Sequence, residues 1–511
     1  MSLRQISLFA LGVAAAVPLL GSLGLAGCGP ASDRTCDGTE ADLEVDPSNC
    51  GTCGNVCSAG FACIDYRCIE GSCQPGATEE CYTGQDGTQD VGPCAAGART
   101  CEEGGIWSTC TGEVIPAAEN CSDGIDNNCN GAVDDNVDAD MDGFTTCAGD
   151  CCDSTECTKP GLVNPNAFDA TGNNFDDDCN GVADDTLLLC DQGLASSTTA
   201  AMDFARAIDI CQTATETEPK WGVISATLTG TNGTAAIDAN GHSIRPSFGT
   251  NVLPQGGVNL AILSTGAAAA KADTAPPYKP FSGYSHTGMN TSPFPADFLA
   301  ANGGMLPNAP GCPAPNGVVA NDPVMLTLRI RVPSNAQSFK LSSNFFSAEF
   351  PEYTCSPYND FFVVLLDSTY MGANPNPTDK NLAFYQPAGS MTKVPVGVNL
   401  GHGNTGLFTQ CINGETGCLG EPGSITTCIA MNHLVGTGFD DSSGLCDTNQ
   451  VVGGATGWLV TTGNVTPGEI ITLRIAVWDT SDHILDSLAV IDGFQWSTEV
   501  AQPGTDILIG R

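Results

Sequence analysis

The sequence predicts a mainly β protein, in which a large β-sandwich follows a disulfide-rich stalk with acidic repeats and one short helix. Apolar and polar residues alternate along 324–332 and 471–477, as they do in strands with one buried face. Turn-forming residues are frequent, with 61 glycines and 31 prolines among 511 residues. The chain also has 27 cysteines, most of them before residue 212. Together these features favour short strands, many turns and covalent cross-links.

Residues 1–27 resemble an export signal. Arg4 precedes a mostly apolar run that is too short to span a membrane. The letters LAGC at 25–28 resemble the lipobox of bacterial lipoproteins, and this resemblance implies that Cys28 is lipidated and becomes the first mature residue. The residue after Cys28 is Gly29 and not an aspartate, which resembles lipoproteins that are sorted to the outer membrane. We therefore expect an exported, lipid-anchored protein of the bacterial outer membrane or cell surface, and the alternative is an ordinary cleaved signal.

The charge balance limits the partners. With 17 basic and 58 acidic side chains, the formal net charge is −41. Nucleic acid is excluded as a partner because no basic stripe is present to neutralise phosphates. We expect the membrane, through the lipid anchor, and an extracellular glycan or protein ligand as partners.

Residues 28–120 are predicted to form a cysteine-rich segment held by disulfides, because they contain few large apolar residues and no strand or helix period. Beyond Cys28, twenty cysteines lie between Cys36 and Cys211 and six follow, and both numbers are even. A zinc site at Cys50 and Cys53 is the alternative, but an oxidising compartment favours disulfides. The stretch 49–68 resembles the cysteine repeat of stigma-specific-like proteins. The disulfide candidates are Cys36, Cys50, Cys53, Cys57, Cys63, Cys68, Cys121, Cys129, Cys151, Cys152, Cys179, Cys190 and Cys211.

Residues 121–186 contain an internal repeat with an offset of 50 residues. The letters DNNCNGAVDD at 126–135 return as DDDCNGVADD at 176–185. The window holds 16 acidic side chains and one basic one, a net charge of −15. Carboxylates at this density repel one another and favour an expanded chain unless cations neutralise them.

Between the two copies, Asp138, Asp140 and Asp142 alternate and Gly143 follows, which resembles the opening of an EF-hand calcium loop. The twelfth position is glycine, so Asp150 and Asp153 are expected to complete the ligand set. The arrangement is nearer to thrombospondin type 3 repeats, and the whole window resembles the MopE-type metal-binding repeat of secreted bacterial proteins. The candidate metal ligands are Asp123, Asp126, Asn128, Asn130, Asp134, Asp138, Asp140, Asp142, Asp150, Asp153, Asp176, Asp178, Asn180 and Asp184.

These candidate ligands all offer oxygen, which selects hard cations, Ca²⁺ first and Mg²⁺ or Mn²⁺ after it. The stalk is therefore predicted to be a calcium-binding-repeat stalk without an organic cofactor. The alternative is a solvated acidic linker that binds nothing specifically.

Residues 187–219 are predicted to form a linker with one short amphipathic helix. Met202, Ala205, Ile208 and Cys211 have near-helical spacing within 197–215, and Ser196 or Ser197 is the expected cap. A disulfide of Cys211 would tie the helix to its surroundings.

Residues 220–511 are predicted to form the sandwich. The uninterrupted apolar run 361–366 indicates a strand covered on both faces. The segments 264–266, 344–362 and 478–487 resemble, in order, motifs of the choice-of-anchor L domain of bacterial surface proteins. That resemblance covers about 270 residues and implies surface display rather than a reaction.

Five carboxylates of the sandwich form a candidate second metal site. Asp479, Asp482 and Asp486 lie just after one predicted strand, while Glu349 and Asp360 flank others. Buried, unpaired carboxylates need a cation or backbone donors. Capping of turns by Asp482 and Asp486 is the alternative.

We expect a non-catalytic role, namely calcium-stabilised binding or adhesion at the cell surface. One alternative is a secreted hydrolase of glycans or peptides with Glu349 and Asp360 as paired carboxylates. Another is a purely structural envelope protein. The five histidines are scattered singly and no H-E-x-x-H motif occurs.

Overall fold

The computed structural model describes residues 33–508 except 37–38, 59–60, 65, 71–72, 103–104, 122, 135–137, 155–156, 186–188, 282–289, 388, 403–404, 417–422, 426 and 441–452. Residues 1–27, predicted to be an export signal, and Cys28 lie outside the described residues. The chain forms two compact units, Met1–Asp135 and Asn136–Arg511. Within the described residues, no helix has both the length and the apolar character needed to cross a bilayer.

The first unit is built from three short antiparallel hairpins. They pair β1 (Asp33–Cys36) with β2 (Thr39–Asp42), β3 (Phe61–Ile64) with β4 (Arg67–Glu70), and β5 (Thr78–Cys81) with β6 (Gly97–Thr100). Sequence analysis did not predict these strands, because four residues are too few to display an alternating pattern. A small buried cluster contains Cys36, Ala41 and Leu43.

Disulfides supply the cohesion that such a small core lacks. Every cysteine from Cys36 to Cys211 is disulfide-bonded, including all thirteen candidates. Cys50 and Cys53 are bonded to Cys63 and Cys36, so neither is a thiolate that could bind zinc. Other pairs are Cys57–Cys68, Cys73–Cys101, Cys81–Cys110, Cys94–Cys129, Cys151–Cys179, Cys152–Cys157, Cys190–Cys211, Cys312–Cys355 and Cys411–Cys428.

The second unit is dominated by two antiparallel sheets. The five-stranded sheet consists of β7 (Gly222–Thr229), β10 (Thr291–Ser292), β11 (Ala320–Arg331), β13 (Phe361–Asp367) and β20 (Ile470–Thr480). The seven-stranded sheet consists of β8 (His242–Arg245), β9 (Leu260–Ser264), β12 (Ser338–Ser347), β18 (Gly454–Ala455), β19 (Leu459–Asn464), β21 (Ser487–Ser497) and β22 (Gly504–Ile507). Two small hairpins pair β14 (Phe384–Tyr385) with β15 (Val394–Pro395) and β16 (Gly414–Thr416) with β17 (Gly423–Ile425).

The two sheets face each other across one apolar core, which confirms the predicted sandwich. In the first sheet, β20 lies between β11 and β13; in the second, β12 lies between β21 on one side and β19 and β18 on the other. Leu326 and Ile475 of the first sheet and Phe345 and Ile491 of the second share the core, and all four are fully buried. The alternating residues of β11 and β20 thus place their apolar side chains inside, as predicted.

Strand β13 is buried on both faces, as its continuous apolar run predicts. Phe362 and Val364 point into the sandwich core, whereas Val363 and Leu365 pack in a second cluster on the outer face. The helix α2 (Ala296–Ala301) contributes Phe298 to that outer cluster. Sequence analysis missed α2, because six residues are too short to show a helical period.

The predicted helix exists but is shorter than the window 197–215. It spans Ala201–Ala207 and is α1. Neither Ser196 nor Ser197 caps it, because Ala200 holds the cap position and provides no side-chain hydrogen bond. The helix ends before Asp209, whose φ of +73° is incompatible with further helical turns. Cys211 is bonded to Cys190.

Candidate metal centre

Three acidic loops in the described residues share one sequence pattern, D-x-[D/N]-x-[D/N]-G. They begin at Asp126, Asp138 and Asp176 and are called the first, second and third loops. The first loop belongs to the first unit, and the other two belong to the second unit.

The second loop wraps its backbone around its own carboxylates. Asp138 accepts hydrogen bonds from the backbone N–H groups of Asp142 (3.2 Å) and Gly143 (2.9 Å). Asp140 also accepts from the N–H of Asp142 at 3.2 Å, and Asp142 accepts from the N–H of Phe144 at 2.9 Å. These turns fix the first, third and fifth side chains so that they point into one loop.

The first and third loops repeat this hydrogen-bond pattern at every equivalent position. The side chain of the first residue in each loop accepts hydrogen bonds from the backbone N–H groups of the fifth and sixth residues. The side chain of the third residue accepts from the N–H of the fifth residue, and the side chain of the fifth residue accepts from the N–H of the seventh. The bonds of the first loop are Asn130 N and Gly131 N to Asp126, Asn130 N to Asn128, and Ala132 N to Asn130. Those of the third loop are Asn180 N and Gly181 N to Asp176, Asn180 N to Asp178, and Val182 N to Asn180.

The backbone conformation repeats as well. The fourth residue has a positive φ in each loop, at 58° for Cys129, 66° for Met141 and 59° for Cys179. The sixth residue is a glycine with φ between 92° and 98° in all three loops, a conformation that L-residues with a Cβ avoid. The three loops, with cysteine at the fourth position in two and methionine in one, therefore adopt one conformation.

In the second loop the carboxylates come closest together. Ligand atoms of Asp138, Asp140 and Asp153 lie within 4.8 Å of one another, and so do those of Asp140, Asp142 and Asp150. Asp140 is common to both groups. Asp150 and Asp153, expected from the sequence to complete the set, are therefore placed beside the loop.

Asp150 is the most constrained of these carboxylates. It is only 3% exposed, and its Oδ2 has no hydrogen-bonding partner, while Oδ1 accepts from the N–H of Cys152 at 2.7 Å. Burial raises the pKa of Asp150 to about 6, and the charges of Asp142, Asp140 and Asp153 add to the shift. A buried, unsatisfied oxygen among like charges fits a cation ligand.

Neighbouring segments orient the ligands. Asp153 accepts from the N–H of Ala139 at 2.6 Å and from that of Thr146 at 2.8 Å. The amide of Asn164 donates to Asp142 at 2.7 Å, and its oxygen accepts from the Ser334 hydroxyl at 2.6 Å. Since Ser334 lies between β11 and β12, the second loop is connected to the sandwich by hydrogen bonds.

The remaining candidate ligands shape turns at the edges of the loops. Asp134 accepts from the N–H of Gly124, and Asp184 accepts from those of three residues, 172–174. Asp123 accepts a hydrogen bond from the N–H of Ile125 at 2.9 Å, and Asn173 accepts the equivalent bond from the N–H of Phe175 at 2.7 Å. Over the described part of the chain, no three carboxylates of the first or third loop approach one another as closely as those of the second.

Sequence analysis missed Glu119 and Asp169, which are related by the same offset of 50 residues. Glu119 accepts from the N–H of Asn128 at 2.6 Å, and its other oxygen is buried without a partner. Asp169 accepts from the N–H groups of Asp177 (3.2 Å) and Asp185 (2.5 Å). Extension of the repeat comparison towards the amino terminus would have found both.

The structure also brings four of the five sandwich carboxylates to one end of the sheets. Glu349 follows β12, Asp360 precedes β13, Asp479 lies in β20 and Asp486 precedes β21, and each is at most 3% exposed. Asp482 accepts from the N–H of Ile484 at 3.1 Å and so caps its own turn.

Comparison with known proteins agrees with the loop geometry. The family model described as "Putative metal-binding motif", named Cu-binding MopE, matches residues 116–135 and 161–185. These segments contain the first and third loops together with Glu119 and Asp169. No curated protein and no solved structure matches the chain. The chain thus carries a MopE-like metal-binding motif on a mainly β, disulfide-rich fold.

Proposed function

We propose that this chain is an exported surface protein whose acidic loops bind Ca²⁺ and depend on it for their folded conformation. The observation that carries the proposal is the second loop, where five carboxylates form two close groups that share Asp140 and an oxygen of Asp150 has no hydrogen-bonding partner. Calcium accepts six to eight oxygen ligands in flexible geometry. The five carboxylates of the second loop offer enough oxygen atoms to meet that demand.

Calcium fits these loops better than copper, although the matching family is named for copper. Copper favours imidazole or sulfur ligands. No histidine precedes residue 242, and the loop cysteines Cys129 and Cys179 are held in disulfides. Magnesium requires near-ideal octahedral geometry and retains water, so a multidentate carboxylate loop suits it less.

The surface role is supported by three features of the chain. The disulfides are typical of an extracellular or secreted protein. The lipobox-like sequence that ends at Cys28 would supply a lipid anchor. The cysteine stretch 49–68 and the choice-of-anchor L-like sandwich resemble modules that are displayed on surfaces. Binding or adhesion to a glycan or protein ligand is the role that follows. Burial of Glu349 and Asp360, at 3% and 0% exposure, favours a non-catalytic role for that pair.

The test is a calcium titration of the full chain by calorimetry, with Asp140→Asn as the loop variant. We expect binding with an affinity that Asp140→Asn lowers at least tenfold at one site, because Asp140 serves both carboxylate groups of the second loop. Asp506→Asn, an exposed acidic residue of β22, is the charge-matched control and should bind as the unaltered chain does. Absence of calcium binding, or a preference for Cu²⁺ over Ca²⁺ in competition, would refute the proposal.

A further inference from the structure

A second cluster of carboxylates lies at one end of the sandwich and joins both sheets. The end cluster is defined by Glu349, Asp360, Asp479 and Asp486. Glu349 and Asp486 adjoin strands of the seven-stranded sheet, whereas Asp360 and Asp479 belong to the five-stranded sheet. Asp322 of β11 lies next to the end cluster, because its neighbour Asn321 is paired with Asp479 of β20.

Most oxygens of the end cluster have no hydrogen-bond donor. Both carboxylate oxygens of Asp479 and both of Asp486 are buried without a partner, as is one oxygen of Glu349. The nearby Thr265 hydroxyl gives its proton to the Ser487 carbonyl at 3.2 Å. Only Asp360 is fully satisfied, by the N–H of Thr480 at 3.0 Å and the Ser487 hydroxyl at 2.7 Å. Folded proteins rarely leave so many buried acceptors unsatisfied.

No side-chain cation of the described residues neutralises these four carboxylates. The basic side chain found at this end is His483, and it pairs with Asp322. Buried carboxylate oxygens that lack both a hydrogen-bond donor and a neighbouring side-chain cation fit the ligands of a bound cation.

We propose that the end cluster binds one Ca²⁺ ion through Asp360, Asp479 and Asp486, with Glu349 at its margin, and that the ion holds the two sheets together. The donors are all oxygens, which selects a hard cation. This site shares no residue with the acidic loops and does not depend on their function.

The surrounding backbone leaves space for these carboxylates. A Cβ on Gly266 would lie 2.1 Å from Oδ2 of Asp486, so only glycine allows that side chain its position. Within the described residues, the end cluster is not among the groups whose ligand atoms lie within 4.8 Å of one another. Binding of the ion therefore draws the carboxylates, and with them the ends of the sheets, closer together.

The experiment counts bound calcium per chain by equilibrium dialysis and measures the calcium-dependent shift in Tm. The double variant Asp479→Asn with Asp486→Asn should bind one Ca²⁺ fewer and show a smaller shift. Its calcium-free Tm should equal or exceed that of the unaltered chain, because two buried charges are removed. Gly266→Ala, which changes no charge, should also lose one ion because it displaces Asp486.

Asp367→Asn is the matched control, since it removes one carboxylate that pairs with Lys380 and Arg474 away from this end. It should retain the full calcium count. An unchanged count and shift in both the double variant and Gly266→Ala would overturn the site. Combination with Asp140→Asn separates the two proposals, because the loop variant should lose its ion whether or not the end cluster binds one.

Discussion

Three further carboxylates show how burial and neighbouring charges together change the acidity of single residues. Asp191, Asp209 and Asp492 lie together beside Gly256 and Gly257, where any Cβ would collide with Asp209 or Asp191. Burial raises the pKa of Asp209 to about 6, with help from Asp191, and burial raises that of Asp492 to about 7, with help from Asp209. Ionisation of Asp209 and of Asp492 therefore opposes folding.

Asp492→Asn should stabilise the protein at neutral and alkaline pH. The pKa of Asp492 is about 7 in the folded state and 3.8 for an unperturbed aspartate, so its contribution to stability is complete below pH 4 and is lost as the pH rises through 7. The free energy of unfolding of the variant should match that of the unaltered chain near pH 4. At pH 8 it should be larger by on the order of 4 kcal/mol, since each pKa unit corresponds to about 1.36 kcal/mol. Urea unfolding at pH 4, 6 and 8 measures this, with Asp506→Asn as control. Parallel pH profiles would contradict it.

Strand β13 packs against a different apolar cluster on each of its two faces. Leu365 is 0% exposed in the outer cluster beside α2, and Leu366 is 3% exposed in the sandwich core. In a strand with one solvent face, one of two adjacent residues would lie outside. Both faces of β13 therefore contribute to stability.

Leu365→Ala and Leu366→Ala should each destabilise the protein by about 2–5 kcal/mol, because each leaves a cavity in a packed cluster. Thr327→Ala, at a half-buried position of β11, should change the stability by no more than about 0.5 kcal/mol. Chemical denaturation of the three variants provides the measurement. A small effect of Leu365→Ala would mean that the outer cluster does not add to stability.

Long elements could be predicted from the sequence, and short ones could not. The alternating residues of β11 and β20 and the apolar run of β13 identify their strands, because each side chain reports which face is buried. The hairpins of the first unit and α2 were missed, since four to six residues carry no period. The extent of α1 was overestimated because its last turn is stopped by the backbone of Asp209.

The metal centre was predicted in part for a related reason. Local patterns identify Asp138, Asp140 and Asp142, each of which accepts a backbone hydrogen bond from within its own loop. Glu119 and Asp169 reach their loops from a preceding turn, and Asp322 reaches the end cluster only through strand pairing. Such contacts depend on the tertiary fold, which spacing along the chain does not report.

At the scale of the whole molecule, each of the two units is stabilised by a different kind of interaction. The second unit has a continuous apolar core between its sheets, whereas the described apolar cluster of the first unit contains Cys36, Ala41 and Leu43. Covalent bonds limit the unfolded chain more strongly as the loops they close become longer. The first unit therefore depends on its disulfides, and the second depends on its core.

Reduction with a membrane-permeant thiol reagent should unfold the first unit and leave the sandwich folded. Amide hydrogen exchange followed by mass spectrometry should show loss of protection across 33–134 and retained protection in β11, β12, β20 and β21. Treatment with the oxidised form of the reagent is the control. Uniform loss of protection along the whole chain would show that the sandwich also needs its disulfides.

The disulfides of the first unit overlap along the chain. Cys73–Cys101, Cys81–Cys110 and Cys94–Cys129 all span the stretch between residues 94 and 101. A peptidase that hydrolyses one peptide bond in that stretch leaves both new ends covalently attached through three bridges. A single cut there releases no fragment, so the cleaved chain stays in one covalent piece.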